Sequence, residues 1–234
     1  MREGQIIVTG ASRGIGAAIA AELARRGYRL ACLSRSGEAA HGKGYACDVT
    51  DEAALKATIA HIAQDGPIGG LVNNAGVHIG GPIASLSTES FNTTMALNAA
   101  AVMVMARETF PHLKEKGGVI VNIGSFFDKL GVPDNLAYCA SKAAVAAMTR
   151  CMAVEWAKHG VRVMNVAPGY IRTDLNREFL AREKVVAWMR QRIPVGGAGE
   201  AADVAKLVAA IVQEDIGFMT GETIYLDGGQ GMNH

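Results

Sequence analysis

The chain of 234 residues is 50% hydrophobic and 19% charged, enough apolar content for one substantial core, so a single domain over residues 1–234 is expected. Lys and Arg total 23 against 22 acidic residues, a formal charge of +1, so no global basic field marks nucleic acid or an anionic membrane as a partner. Cys32, Cys47, Cys139 and Cys151 show no Cys-x-x-Cys spacing and form no zinc-ligand pattern, so they read as reduced core thiols and no metal site is expected.

The opening Met1-Arg2-Glu3-Gly4-Gln5 leads into an apolar run without signal-peptide features, and no uncharged apolar run reaches membrane-spanning length. A soluble cytoplasmic protein is the expectation. The first element is a strand at 6–9, followed by Thr9-Gly10-Ala11-Ser12-Arg13-Gly14-Ile15-Gly16 and an alanine-rich helix. Glycines let the backbone approach a pyrophosphate, and the helix start beyond them offers unpaired N–H groups and the positive end of a dipole. The loop suits a dinucleotide, although three residues separate Gly10 from Gly14, unlike the Gly-x-Gly-x-x-Gly fingerprint. A glycine-rich turn without a ligand is the alternative.

Further β-rich runs follow at 29–34, 71–74, 119–124, 161–167 and 223–226, with helical stretches between them. Runs as continuously apolar as Val119-Ile120-Val121 fit parallel strands covered on both faces, so the expected fold class is doubly wound α/β. The least regular stretch is 172–199. In such a sheet ligands bind beyond the carboxyl ends of the strands, where the distinctive motifs fall.

Tyr138 and Lys142 lie four positions apart in an alanine-rich segment, which on a helix puts phenol and ammonium on one face. Bringing a tyrosine from a pKa near 10 to about 7 takes roughly 4 kcal/mol, much of which a nearby cation can contribute. Taken alone, the short pattern equally fits a packed tyrosine and a solvated lysine.

Together the glycine loop, Asn73-Asn74-Ala75-Gly76, Ser125, Tyr138-x-x-x-Lys142 and Pro168-Gly169 resemble the short-chain dehydrogenase/reductase family. The landmarks run from Thr9 to Asp227-Gly228-Gly229 in the family's order, covering essentially the whole chain. The resemblance implies a Rossmann-like parallel sheet of about seven strands with helices on both faces. It maps four catalytic positions onto Asn98, Ser125, Tyr138 and Lys142. Tyr138 would donate a proton to a carbonyl oxygen, Ser125 would hydrogen-bond that oxygen, and Lys142 would bind the nicotinamide ribose and lower the tyrosine's pKa. Asn98 would hold a water for proton relay, or be a satisfied core asparagine. Gly10, Ser12, Arg13, Gly14, Ile15 and Gly16 would hold the phosphates. Asn74, Ala75 and Gly76 would border the adenine-side ribose, Asp48 and Val49 the adenine, and Pro168, Gly169, Ile171 and Thr173 the nicotinamide end.

Cofactor choice turns on the end of the second strand, where no acidic residue stands to bond a ribose 2′-hydroxyl. Ser34 and Arg35 follow the strand and Arg13 lies in the glycine loop, so two guanidinium groups could grip a 2′-phosphate. NADP(H) is therefore expected, with solvated surface arginines as the alternative.

The overall pattern is most similar to 3-oxoacyl-[acyl carrier protein] reductases, which implies an acyl-thioester substrate. Lys114, Lys116, Arg172 and Arg177 are then candidates for steering an acidic carrier protein, scattered surface charge being the commoner explanation. Phe126 and Phe127 depart from the small residues usual there and either narrow the pocket toward another small or cyclic ketone or pack beneath the loop. A reductase of another ketone, sugar or polyol and a noncatalytic dinucleotide sensor are the competing readings. The helices spanning 96–106 and 143–156 are apolar around much of their circumference, so a homotetramer is expected, with burial inside the monomer as the alternative.

Overall fold

The computed structural model describes residues 4–233. Five strongly apolar segments form the centre of one parallel sheet, namely β1 (Gln5–Thr9), β2 (Leu30–Ser34), β4 (Ile68–Asn73), β5 (Gly118–Ile123) and β6 (Val161–Pro168). Every residue of these five strands is buried, which is why their sequences lack polar alternation. Two less buried strands close the edges, β3 (Lys43–Ala46) and β9 (Thr223–Leu226), giving the order β3-β2-β1-β4-β5-β6-β9. A separate two-residue ladder joins β7 (Ile171–Arg172) to β8 (Gly199–Glu200).

The side chains of β1 alternate between two cores. Ile6 and Val8 meet α1 (Gly14–Arg25) and α8 (Ala201–Gln213) through Ile19, Leu23, Val204 and Val208. Ile7 faces the opposite layer, built from α2 (Glu52–Gln64), α4 (Ala101–Leu113) and α5 (Leu136–Trp156), with Leu55, Ile59, Met105 and Met152 at its centre. Full burial of each such aliphatic side chain stabilises the fold by about 1.5–3 kcal/mol. Local signals fix the helix starts: Asp51 accepts from Ala54 N at 3.0 Å, and Ser87 caps α3 (Thr88–Met95) by accepting from Ser90 N at 3.1 Å. Two short helices, α6 (Arg177–Leu180) and α7 (Glu183–Arg192), occupy the irregular stretch after β7 and carry a small core of their own around Leu180, Met189 and Ile193.

β1 lies between β2 and β4, so successive crossovers leave it in opposite directions and a crevice opens at its carboxyl end. Beneath that crevice a buried row of asparagines crosses three strands. Asn73 pairs in register with Asn122, and Asn122 with Asn165. Asn73 Nδ2 donates to Asn122 Oδ1 at 2.9 Å and Asn122 Nδ2 donates to Thr149 Oγ1 on α5 at 2.9 Å, tying the sheet to the helix that bears Tyr138.

Several expectations need correction. The edge strand β3 is absent from the sequence-based assignment, and β4 starts three residues earlier than expected because Gly69-Gly70 belongs to the strand. A Cβ on Gly70 would stand 2.9 Å from the Val119 carbonyl, so that glycine serves close strand packing rather than a turn. Of the four thiols only Cys32 and Cys47 are buried; Cys139 is partly exposed and Cys151 exposed, so those two are not core residues. No helix among the described residues is long and apolar enough to cross a membrane.

Candidate active site

The glycine loop is stitched to the end of β4. Thr9 Oγ1 accepts from the backbone N–H groups of Asn74 and Ala75, both at 3.0 Å, and Asn74 Nδ2 donates back to the carbonyls of Thr9 at 3.0 Å and Gly10 at 3.2 Å. The Asn74 side chain is thus committed to holding the loop. Gly10 and Gly14 take left-handed conformations with φ of 65° and 57°. A Cβ on Gly16 would fall 2.1 Å from the Gly10 carbonyl oxygen, so only glycine permits this closure. Arg13 occupies the cap position of α1 with no side-chain cap, and the first turn holds no acidic residue. Its first N–H groups therefore face outward unpaired by the chain's own carboxylates, which is the arrangement a dinucleotide pyrophosphate requires.

At the carboxyl end of β2, Ser34 is buried and donates to the Glu38 carbonyl at 3.2 Å, while Arg13 and Arg35 are exposed. Asp48 Oδ1 accepts from Thr50 N and Thr50 Oγ1 at 2.9 and 2.7 Å. These bonds, with a smaller attraction to Arg35, hold its carboxyl below the usual range. Val49 is buried beside it. On the far side Thr173 approaches the glycine loop, its methyl 3.6 Å from where a Gly14 Cβ would stand. Ile171 is buried in the core.

The central cleft is lined by Ile15, Asn74, Gly76, Ser125, Tyr138, Lys142, Pro168 and Gly169, with Val77, His78, Ile123 and Gly124 completing the wall. Eight expected residues, including three of the four catalytic positions, therefore meet at one place. Ser125 follows β5 in extended conformation and its Oγ accepts from Phe127 N at 3.3 Å. α5 begins at Leu136, which places Tyr138 in the first turn and Lys142 one turn further on. Lys142 is 6% exposed, its Nζ donates to the Ile123 carbonyl at 2.8 Å and lies 5.7 Å from the centre of the Tyr138 ring.

The expected lowering of the tyrosine's pKa by Lys142 is not what this geometry produces. Burial pushes the Tyr138 phenol above its ordinary value, against a smaller opposing hydrogen bond with Ser125. Burial also pushes the Lys142 ammonium down to about 8. The ammonium is held by a backbone carbonyl rather than against the phenol oxygen, and desolvation dominates both groups.

Asn98 lies in a π-helical turn, Ala96–Ala100, a local widening of the helix often found at functional positions. Its side chain is fully buried and satisfied. Oδ1 accepts from Val77 N at 2.8 Å, while Nδ2 donates to the Val77 carbonyl at 2.8 Å and to Ser141 Oγ at 3.1 Å. The side chain braces the segment after β4.

The carrier-steering quartet does not assemble. α4 runs back to the amino end of the sheet, and Lys116 lines a separate hollow there with His112, Gly160 and Arg162. Arg172 pairs with Glu200 and Arg177 with Asp174. Phe126 and Phe127 are buried, in contact with each other and with Tyr170, so they pack beneath the loop, where Phe127 also backs the cleft-lining rings of His78 and Tyr138. His78 was not anticipated. Its only sequence signal is its place just beyond the carboxyl end of β4, where lining residues of such sheets belong.

Comparison with known proteins agrees with this geometry. Residues 10–231 match a family described as Enoyl-(Acyl carrier protein) reductase. The chain is 35% identical to the 3-oxoacyl-[acyl-carrier-protein] reductase FabG of Haemophilus influenzae, over 95% of this chain and 96% of that protein. It is 32% identical to gluconate 5-dehydrogenase of Gluconobacter oxydans, over 95% and 93%. A solved gluconate 5-dehydrogenase from Burkholderia cenocepacia, in complex with NADP and tartrate, superposes with a TM-score of 0.91 at 28% identity, covering 100% of this chain and 97% of that one. On fold, motif order and full-length similarity, the chain belongs to the short-chain dehydrogenase/reductase family.

Proposed function

We propose that the protein is an NADP(H)-dependent carbonyl reductase or alcohol dehydrogenase, acting through Asn98, Ser125, Tyr138 and Lys142. The observation that carries this reading is the convergence of Ser125, Tyr138 and Lys142 in one cleft beside an uncapped helix start. Bound NADPH supplies a hydride. Tyr138 donates its proton to the substrate's carbonyl oxygen, and Ser125 hydrogen-bonds the same oxygen. Lys142 binds the ribose next to the nicotinamide, and Asn98 fixes the Val77 segment that walls the cleft. A phenol pushed up by burial holds its proton at neutral pH and can give it to a carbonyl oxygen.

The 2′-phosphate is assigned to Arg13, Ser34 and Arg35. Arg35→Ala is expected to weaken NADPH binding about tenfold or more, the worth of a charge-assisted bond, and to leave NADH binding little changed. Titrations in which wild-type protein binds NADH more tightly would overturn the assignment.

A 3-oxoacyl thioester is the leading substrate, supported by the likeness to the FabG reductases. Another small ketone or sugar acid is favoured by the absence of Lys114 and Lys116 from the cleft mouth and by the gluconate dehydrogenase likeness. A homotetramer would cover Met103 on α4 and Val154 on α5, which are 41% and 83% exposed. Light scattering giving a monomer mass would exclude it.

A further inference from the structure

The aromatic ring closest to Tyr138 belongs to His78, from the segment after β4. The ring centroids lie 4.7 Å apart at 57°, while Phe127 contacts Tyr138 edge-on at 6.0 Å and His78 at 6.5 Å. His78 is exposed and lines the same cavity as Ser125 and Lys142. It is also anchored. Asn135 Nδ2 donates to the Pro133 carbonyl at 2.7 Å, so Asn135 turns its Oδ1 toward His78, and that oxygen accepts from His78 Nε2. Asn135 is the cap position of α5, and its carbonyl accepts from Cys139 N at 2.9 Å, next to Tyr138. A second clamp joins the same segments, with Gly81 N donating to the Asp134 carbonyl at 2.7 Å. Asp134 takes φ of 62°, the sole left-handed non-glycine among the described residues.

We propose that His78 is a positioning residue for the reaction: its ring, moored to Asn135, is laid against Tyr138 and holds the phenol in its reactive orientation while shielding it from water. The inference rests on Tyr138 being the proton donor. The titratable groups and hydrogen-bonding partners facing the phenol are His78 from the segment after β4, Ser125 from the loop after β5, and Cys139 and Lys142 from its own helix. Of these, His78 alone lays a ring against Tyr138. Removing the imidazole admits water to the phenol, which relieves part of the burial that raises its pKa.

The test uses the full chain with NADPH and the better of two carbonyl probes, an acetoacetyl thioester and a simple cyclic ketone. His78→Ala is expected to lower kcat by about tenfold or more, with NADPH affinity within about twofold of wild type. The pH at which turnover half-changes should move downward. His78→Phe keeps a ring on Tyr138 without the bond to Asn135, and should recover part of kcat and most of the pH shift. Adding Asn135→Leu to His78→Phe should cost little more, because the shared bond is already gone. A His78→Ala kcat within about twofold of wild type and an unmoved pH profile would overturn the proposal, as would equal losses of kcat and NADPH affinity. Tyr138→Phe separates the two readings. If it retains turnover, the proton-donor assignment has failed; if it is inactive while His78→Ala is normal, only the role of His78 has failed.

Discussion

Tyr138→Phe is expected to bind NADPH as the wild type does and to lose turnover by about 10²–10⁴-fold, the usual worth of a positioned proton donor. The substitution removes one oxygen from a ring packed between His78 and Phe127, so the aromatic contacts persist. The glycine loop, whose bonds run to Asn74 and Ala75, is untouched. Only the transferable proton and the bond with Ser125 are lost. The signature is therefore a fall in kcat without a fall in cofactor affinity. Near-normal kcat would remove Tyr138 from the chemistry, and a parallel loss of affinity would make its role structural.

Lys142→Met should abolish activity and, at neutral pH, make the folded protein more stable. The ammonium is 6% exposed and its pKa falls from 10.5 to about 8 on folding, through burial. Because the folded state holds this proton less tightly, burial of the charge destabilises the protein fully below pH about 8, and the cost fades as pH rises toward 10.5. A shift of that size corresponds to roughly 3 kcal/mol at neutral pH. Methionine fills a similar volume but leaves the Ile123 carbonyl without its partner, a loss of about 1–2 kcal/mol. The variant should then be about 1–2 kcal/mol more stable by denaturant unfolding at pH 7, and no more stable than wild type at pH above 10.5. A less stable variant at pH 7 would show that the lysine is well solvated or strongly paired, contrary to this structure.

What could be read from the chain was local. β1, β5 and β6 are runs dense in β-branched residues and were visible as such; Gly10, Gly14 and Gly16 announced a backbone that had to come close to something. β3 was missed because Tyr45 is its one buried residue, too little apolar signal for an edge strand. The same limit governs the site. The motif positions at strand ends were legible because the doubly wound topology assigns every carboxyl end to one crevice. Contacts between distant segments were not. Asn98 reaches Val77, and His78 reaches Tyr138 and Asn135, through the path of the folded chain, which no spacing rule encodes. Lys114 and Lys116 went wrong for the opposite reason, since proximity in sequence to β5 concealed that they sit at its amino end.

The most direct test is a panel of carbonyl compounds, including an acetoacetyl thioester, a cyclic ketone and a keto sugar acid, assayed for NADPH oxidation by the wild-type protein. At least one should be reduced with NADPH preferred over NADH. Tight NADPH binding with no turnover anywhere on the panel would contradict the enzymatic account and leave a dinucleotide sensor in its place.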